Sequence, residues 1–338
     1  MQYFIFCGDT DLNGGELENI TTGEWMPYND HTLVWYSGPD KRSDNMVKQV
    51  EELKPDILYI IGMFSWHFNM VPLLFCKAPK KILSSRGMLH QGALSQKKWK
   101  KKIYLEIFKL LKQHRKVRFH ATDEEENKYI NKYFGKEAIV FIAGNFPNKI
   151  GTIPIAEKTT GSLKLVSIAL ISPMKNILRV LTAMDTCKYR IEYNIYGPVK
   201  DTNYWEQCKE KIKTLPGNIT VNYHKEIEPQ KVKEVLLNAH VFILPSKSEN
   251  FGHAIYEALS GGRPVITSYN TPWSNLRESR AGINVALDDD IELLNAINFF
   301  AEMENDELTR WSKCAHDYAE KAIDVERIKG EYEEMFLN

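Results

Sequence analysis

Residues 246–266 read "SKSENFGHAIYEALSGGRPVI". Two glutamates, Glu249 and Glu257, stand eight positions apart, with Asn250-Phe251-Gly252 between them and Gly261-Gly262-Arg263-Pro264 behind. The apolar run "HVFILPS" just upstream reads as a buried strand, and "RPVITS" as the next one. Between them "FGHAIYEALS" predicts a helix starting near Phe251 and stopped by the glycine pair. Strand, loop, helix, strand is the repeating unit of a parallel sheet. Ligands of such sheets bind outside the carboxyl ends of the strands. Glu249 is therefore expected in the crevice, beside a helix N-terminus whose unpaired amides at Phe251, Gly252 and His253 suit an anion. Gly252 lets backbone come close to a ligand. Glu257, two turns along the helix, reaches a different part of the same extended molecule. Hydroxyls at both ends and an anion in the middle describe a nucleotide diphosphate sugar.

The same grammar runs outward in both directions. With 338 residues the chain exceeds the size of one core and predicts two domains. Upstream, "YFIFC", "HTLVWYSGP", "DILYIIG", "KKILSSRG", "VRFHAT" and "AIVFIAGN" read as strands. "SDNMVKQVEELK", with Ser43 as a cap, and "SQKKWKKKIYLEIFKLLKQHRK" read as helices. Downstream, "KLVSIAL", "YRIEYNIYG" and "ITVNYH" alternate with helical "NILRVLTAMDTC", "YWEQCKEKIKTL" and "PQKVKEVLLNA". The expected class is α/β, two Rossmann-like domains with parallel sheets. Residues 1–150 form the first, 151–163 a turn-rich linker, and 164–338 the second, with the final helix able to cross back to the first.

Lys+Arg and Asp+Glu both number 44, so bulk charge directs the chain to neither nucleic acid nor membrane. The N-terminus lacks a signal-peptide pattern, and no apolar run is long enough to span a bilayer. Five scattered cysteines without a C-x-x-C pair fit reduced thiols in the cytosol. Asp9-Thr10-Asp11 and Asp288-Asp289-Asp290 are formally Asp-x-Asp, a pattern that elsewhere holds a metal-bound diphosphate. Here they read as loop-shaping residues and as a helix cap, and no metal ligand is assigned.

The quoted stretch, with its glutamate spacing, its Asn-Phe-Gly and "EALSGGRPVI", resembles the retaining glycosyltransferases of family 4, which have the GT-B fold. Gly14-Gly15 resembles that family's glycine loop, "LKPDILYIIG" its Pro-Asp strand, and "ISPMKN" its phosphate-binding Ser-Pro-x-Lys turn. "SSRGMLHQGALSQKKWKK" and "HATDEEE" resemble a bacterial surface-polysaccharide branch, and "TPW" and "AGINV" the C-terminal edge.

The resemblance implies an active site in the cleft between the domains, with the donor mainly on the second. Glu249 would contact sugar hydroxyls, and Asn250, Phe251 and Gly252 would contact sugar or phosphate through their backbone. Glu257 would take the ribose. Lys175, in the turn begun by Ser172, would neutralise the diphosphate, with Gly14 and Gly15 facing the same phosphates. Arg86, near the place of a family histidine, joins Glu249 and Lys175 as a catalytic candidate. Two positions depart from the pattern. Leu170 stands where relatives carry an arginine, and His224 where a glycine is common near the base.

The expected reaction moves a hexosyl unit from a nucleotide diphosphate sugar to a glycan or lipid-linked glycan in polysaccharide assembly. No cofactor is needed. A non-catalytic nucleotide-sugar or glycan-binding subunit and a nucleotide-sugar epimerase are the alternatives. In the helix from residue 97, Trp99, Ile103, Ile107, Leu110 and Leu111 predict a core-facing stripe. The basic run Lys97–Lys102 behind it is expected to hold a cytoplasmic protein peripherally at the anionic inner face of the plasma membrane.

Overall fold

The structure is a computed structural model and describes residues 2–11, 14–40, 42–90, 93–94 and 98–338. The chain divides into two compact units. One comprises Met1–Phe146 with Val325–Asn338, the other Pro147–Asp324.

The first unit begins with β1 (Tyr3–Gly8), β2 (Trp25–Asn29) and β3 (Thr32–Ser37), ordered β1-β3-β2. β1 and β3 are parallel and β2 is antiparallel to β3. The stretch from Glu16 to Asp30, which carries no strand-like apolar run, thus contains a strand. Its Pro27 disguises it, yet a proline is tolerated because β2 lies at the edge of its sheet. β4 (Ile57–Ile61), β5 (Lys80–Ser84), β6 (Arg118–Ala121) and β7 (Ile139–Ile142) form a parallel sheet in sequential order. Helices Arg42–Leu53, Lys98–Leu110, Glu124–Phe134 and Val325–Leu337 belong to the same unit. Ser43 does not cap the first of them, since its hydroxyl bonds His67 Nδ1 at 2.7 Å. The helix Lys98–Leu110 buries Leu105 and Phe108. The expected core stripe, Trp99, Ile103, Ile107, Leu110 and Leu111, faces solvent instead. Periodicity marks an apolar face, but this helix carries two of them, and only one meets the core.

The second unit holds β8 (Ser162–Ile168), β9 (Arg190–Tyr196), β10 (Ile219–Tyr223), β11 (Val241–Leu244), β12 (Val265–Ser268) and β13 (Gly282–Val285). All neighbours are parallel, in the order β10-β9-β8-β11-β12-β13. Every residue of β11, β12 and β13 is buried, which is why these strands are short apolar runs without alternation. From β8 the chain moves outward to β9 and β10, then returns to the other side of β8 for β11. β8 and β11 therefore flank the point where strand order reverses, the usual crevice of an open α/β sheet.

Residues 151–163 run against this unit. Ile153 joins its core, and the buried Lys158 ammonium donates to Ala301 O at 2.9 Å. Arg263 of the Gly-Gly-Arg-Pro run is fully buried, and its Nε donates to Leu236 O at 2.7 Å. It is a structural clamp. All five cysteines are free thiols. Among the described residues, no helix is long and apolar enough to cross a membrane.

Candidate active site

The loop after β8 carries Ser172 and Lys175 in one turn, closed by a 3.0 Å bond from Lys175 N to Ser172 O. The loop after β11 carries Glu249. The loops are tied together by Lys247 N donating to Met174 O at 2.8 Å. Neighbouring strands thus bring distant parts of the sequence to one place. Lys175 Nζ donates to Glu249 Oε1 at 2.6 Å, and Ser246 Oγ donates to the same oxygen at 2.6 Å. The two charged side chains are only 22% and 11% exposed, so a cation and an anion meet in a recess where screening by water is reduced.

The helix behind Glu249 is His253–Ser260 and begins two residues later than the sequence suggests. Gly252 is the reason. Its φ of +79° lies in the left-handed region, so the backbone becomes helical only after it. The amides of Ile255 and Tyr256 return to Gly252 O at 2.9 and 3.1 Å and close the first turn of the helix. A Cβ at Gly252 would sit 3.1 Å from Trp273 Nε1 and 3.2 Å from Ile255 Cδ1. Trp273 Nε1 in turn donates to Phe251 O at 2.6 Å, and the Phe251 ring packs edge-on to Trp273 at 5.5 Å. Asn250 is exposed at the mouth of the loop, and Phe251 is half-buried.

Glu257 lies half-buried on the second turn of that helix. Burial raises its carboxyl above the ordinary range, and Asn148 Nδ2, 3.4 Å away, only partly offsets this. Leu170, at the place of the expected arginine, is half-buried just after β8. His224 follows β10, stacks on Tyr196 with ring centroids 4.5 Å apart, and bonds Asn194 Oδ1 at 2.8 Å.

Gly14, Gly15 and Arg86 belong to the other unit. The glycine loop is shaped by Asp11, whose Oδ1 accepts from Gly15 N at 2.8 Å, while Asp9 pairs with Arg42 at 3.3 Å. In the second acidic run, Asp289 accepts from Ile291 N and Glu292 N at 2.9 Å and caps the helix Asp290–Glu302. Arg86 has a left-handed backbone, φ +47°. Its guanidinium donates to Asn145 Oδ1 at 3.0 Å and to Tyr59 Oη at 3.4 Å. Tyr59 Oη also bonds His120 Nδ1 at 2.6 Å, so Arg86, Tyr59, His120 and Asn145 share one network at the carboxyl ends of β4 to β7.

Glu126 holds the residues on either side of Arg86. Its buried carboxylate accepts from Ser85 Oγ, Gly87 N, Thr122 N and Thr122 Oγ1 at 2.6–2.8 Å. Burial pushes its pKa up, but the four hydrogen bonds outweigh this and bring it below the ordinary value. Sequence reasoning passed over Ser246, Trp273, Tyr59, His120, Asn145 and Glu126. For Glu126 the only local sign was "TDEEE", an Asp123 cap followed by a first-turn acid.

Residues 152–318 match the family model described as glycosyl transferases group 1. No curated protein matches the sequence. Among solved structures, HepE of Anabaena in complex with UDP-glucose is similar over 99% of both chains, at 14% identity and a TM-score of 0.69. Sucrose-phosphate synthase from Thermosynechococcus elongatus is similar over 98% of this chain and 88% of that one, at 16% identity and a TM-score of 0.66. WaaG, a glycosyltransferase involved in lipopolysaccharide biosynthesis, is similar over 92% of this chain and 88% of that one, at 11% identity and a TM-score of 0.64. At these identities the likeness concerns the fold, and the fold is GT-B. The family match over the unit that carries Lys175 and Glu249 makes the enzyme class a glycosyltransferase.

Proposed function

We propose that this chain is a retaining glycosyltransferase of the family 4 type. It moves a hexosyl unit from a nucleotide diphosphate sugar to a glycan or lipid-linked glycan during surface-polysaccharide assembly. The observation that carries the reading is the placement of Lys175 and Glu249 on adjacent loops at the strand-order reversal of the second unit. A donor seated there presents its diphosphate to the Lys175 ammonium and the positive end of the helix His253–Ser260, and its sugar hydroxyls to Glu249. Glu257 receives the ribose hydroxyls. Ser172 and the backbone of Asn250, Phe251 and Gly252 line the same path, and the glycine-loop resemblance assigns Gly14 and Gly15 to the phosphates. Because HepE was solved with UDP-glucose, UDP-hexoses are the first donors to try.

In the reaction, the acceptor oxygen bonds to the anomeric carbon on the face from which the nucleotide diphosphate departs. The C1–O bond to the diphosphate breaks, and the acceptor proton passes to the departing phosphate. Lys175 stabilises the charge that grows on that leaving group, and the family resemblance makes Arg86 a further catalytic candidate. No metal is invoked, since a fixed cation and helix amides supply this role. A lipid-linked acceptor would bring the chain to the cytoplasmic face of a membrane, where the lysines of the run Lys97–Lys102 would meet anionic headgroups. Lys97 itself lies outside the described residues.

Transfer assays with UDP-, GDP- and ADP-hexoses, with the product's anomeric configuration read by NMR, test the reading. Retention is expected. Inversion overturns the proposed path, and tight nucleotide-sugar binding without transfer to any glycan acceptor favours a binding subunit. Interconversion of donors without acceptor favours an epimerase.

A further inference from the structure

The helix Lys98–Leu110 covers the core of the first unit with Leu105 and Phe108. On its far side stand Trp99, Ile103, Ile107 and Leu110, followed by Leu111, with 78%, 55%, 43%, 80% and 39% of their surface exposed. Spacings of four, four and three residues place the first four along one line of the helix. Single apolar residues on a surface are ordinary, but several large ones along one helix face mark an interaction site. Lys98, Lys100 and Lys102 are exposed around the same helix. Glu106 is the only acid between residues 97 and 118, and Lys109 Nζ lies 3.8 Å from it. Lys101 is engaged elsewhere, with its ammonium donating to Ala93 O and lying 5.1 Å from the Phe64 ring centroid.

We propose that this face docks in the plane of an anionic lipid bilayer. The apolar line sinks to the boundary between headgroups and acyl chains, and Lys98, Lys100 and Lys102 meet lipid phosphates. The argument is charge complementarity joined to shape. The stripe is narrow, runs along a single helix and is bordered by cations, the pattern of helices that lie in a membrane interface. A second copy of this chain fits poorly, because a symmetric contact through the stripe would set these lysines against their counterparts with one acid apiece. The inference goes beyond electrostatic attraction of a lysine run, since it requires apolar insertion. None of the residues it uses is among those assigned to the donor.

The test is co-sedimentation of the full chain with vesicles of phosphatidylglycerol mixed with phosphatidylcholine, and with phosphatidylcholine alone. Binding is expected only to the anionic vesicles. Replacing Lys98, Lys100 and Lys102 by glutamine should weaken it about a hundredfold. Trp99→Ala combined with Ile107→Ala should weaken it about tenfold or more. Both sets are exposed, and an unchanged thermal unfolding profile confirms that each variant is folded. Brominated lipids should quench tryptophan emission in the native chain and lose much of that effect in Trp99→Phe. The proposal is overturned by absent binding, by equal binding to neutral vesicles, or by indifference to either variant set. It is also overturned if vesicles are ignored while sedimentation analysis shows self-association that Ile107→Ala abolishes, which would make a second copy the occupant.

Discussion

Lys175 Nζ and Glu249 Oε1 stand 2.6 Å apart, an ion pair made by residues 74 positions apart in sequence. The cation assigned to the diphosphate is thus held by the carboxylate assigned to the sugar. In the proposed function a donor's phosphate would draw Lys175 from Glu249, and the released carboxylate would become available to sugar hydroxyls. On that reading, binding at one end of the donor would be linked to readiness at the other.

Glu249→Ala is expected to cut turnover by roughly tenfold to a hundredfold, the loss of hydrogen bonds to a charged group worth about 1.5–3 kcal/mol. Affinity for the free nucleotide diphosphate should hold or improve, because Lys175 loses its internal competitor. Calorimetric titration with the diphosphate, beside initial rates, separates the two effects. Near-normal turnover in a folded variant removes Glu249 from the mechanism.

Lys175→Ala should weaken both diphosphate binding and turnover, and the double variant with Glu249→Ala should depart from additivity, as groups in direct contact do. Transfer by the native chain should persist in excess EDTA, because the lysine and helix amides carry the charge compensation. Activity lost to EDTA and restored by Mn²⁺ would transfer that task to a metal and return attention to Asp9 and Asp11.

Glu257 has a carboxyl raised by burial, so its ionised form disfavours the folded state. A raised folded pKa favours the fold at low pH, and that contribution is lost as pH climbs from about 4.5 through the raised value. Glu257→Gln should therefore raise the unfolding temperature of the ligand-free chain at neutral pH while weakening nucleotide binding. A variant with lower thermal stability and unchanged binding would contradict both parts.

His240 is buried, its Nδ1 accepting from Lys164 N at 3.0 Å. Burial, the main cause, pushes its pKa from 6.5 down to about 4. The depressed value means that the unfolded chain takes up the proton first. Stability should fall as pH drops from about 6.5 towards 4 and level off below that. Thermal unfolding of the native chain and of His240→Asn across this range should show a shallower slope in the variant.

Gly252→Ala places a Cβ 3.1 Å from Trp273 Nε1 at a left-handed backbone position. The conformational cost is about 1–2 kcal/mol before any displacement of Trp273. A lower unfolding temperature and weaker donor binding should appear together in thermal shift measurements with and without nucleotide sugar.

The second sheet was readable in the sequence because its strands are buried on both faces, so "HVFILPS" and "RPVITS" announce themselves as apolar runs between turn residues. The paired loops could be anticipated from the same pattern, since a parallel sheet gathers its loops at the carboxyl edge. Other features could not. The start of the helix at His253 depends on a backbone angle at Gly252, and composition alone leaves Phe251 equally eligible. The exposure of Trp99, Ile103 and Ile107 depends on which apolar face of the helix meets the core, which periodicity does not state. The role of Glu126 depends on donors from Ser85, Gly87 and Thr122, brought to it only when β5 and β6 pair.

The helix Val325–Leu337 belongs to the unit synthesised first. It buries Ile328 and Met335, receives the Lys80 ammonium on Phe336 O at 2.6 Å, and sets Tyr332 against the His120 ring at 5.4 Å. A ribosome emits the chain in order, and domains fold as they emerge. The continuous segment Pro147–Asp324 can therefore complete itself during translation, while the first unit still lacks the helix Val325–Leu337. The neighbourhood of Arg86, Tyr59 and His120 is finished only when that helix leaves the exit tunnel. Assembly is thereby ordered so that the continuous unit can mature before the unit built from two separate segments.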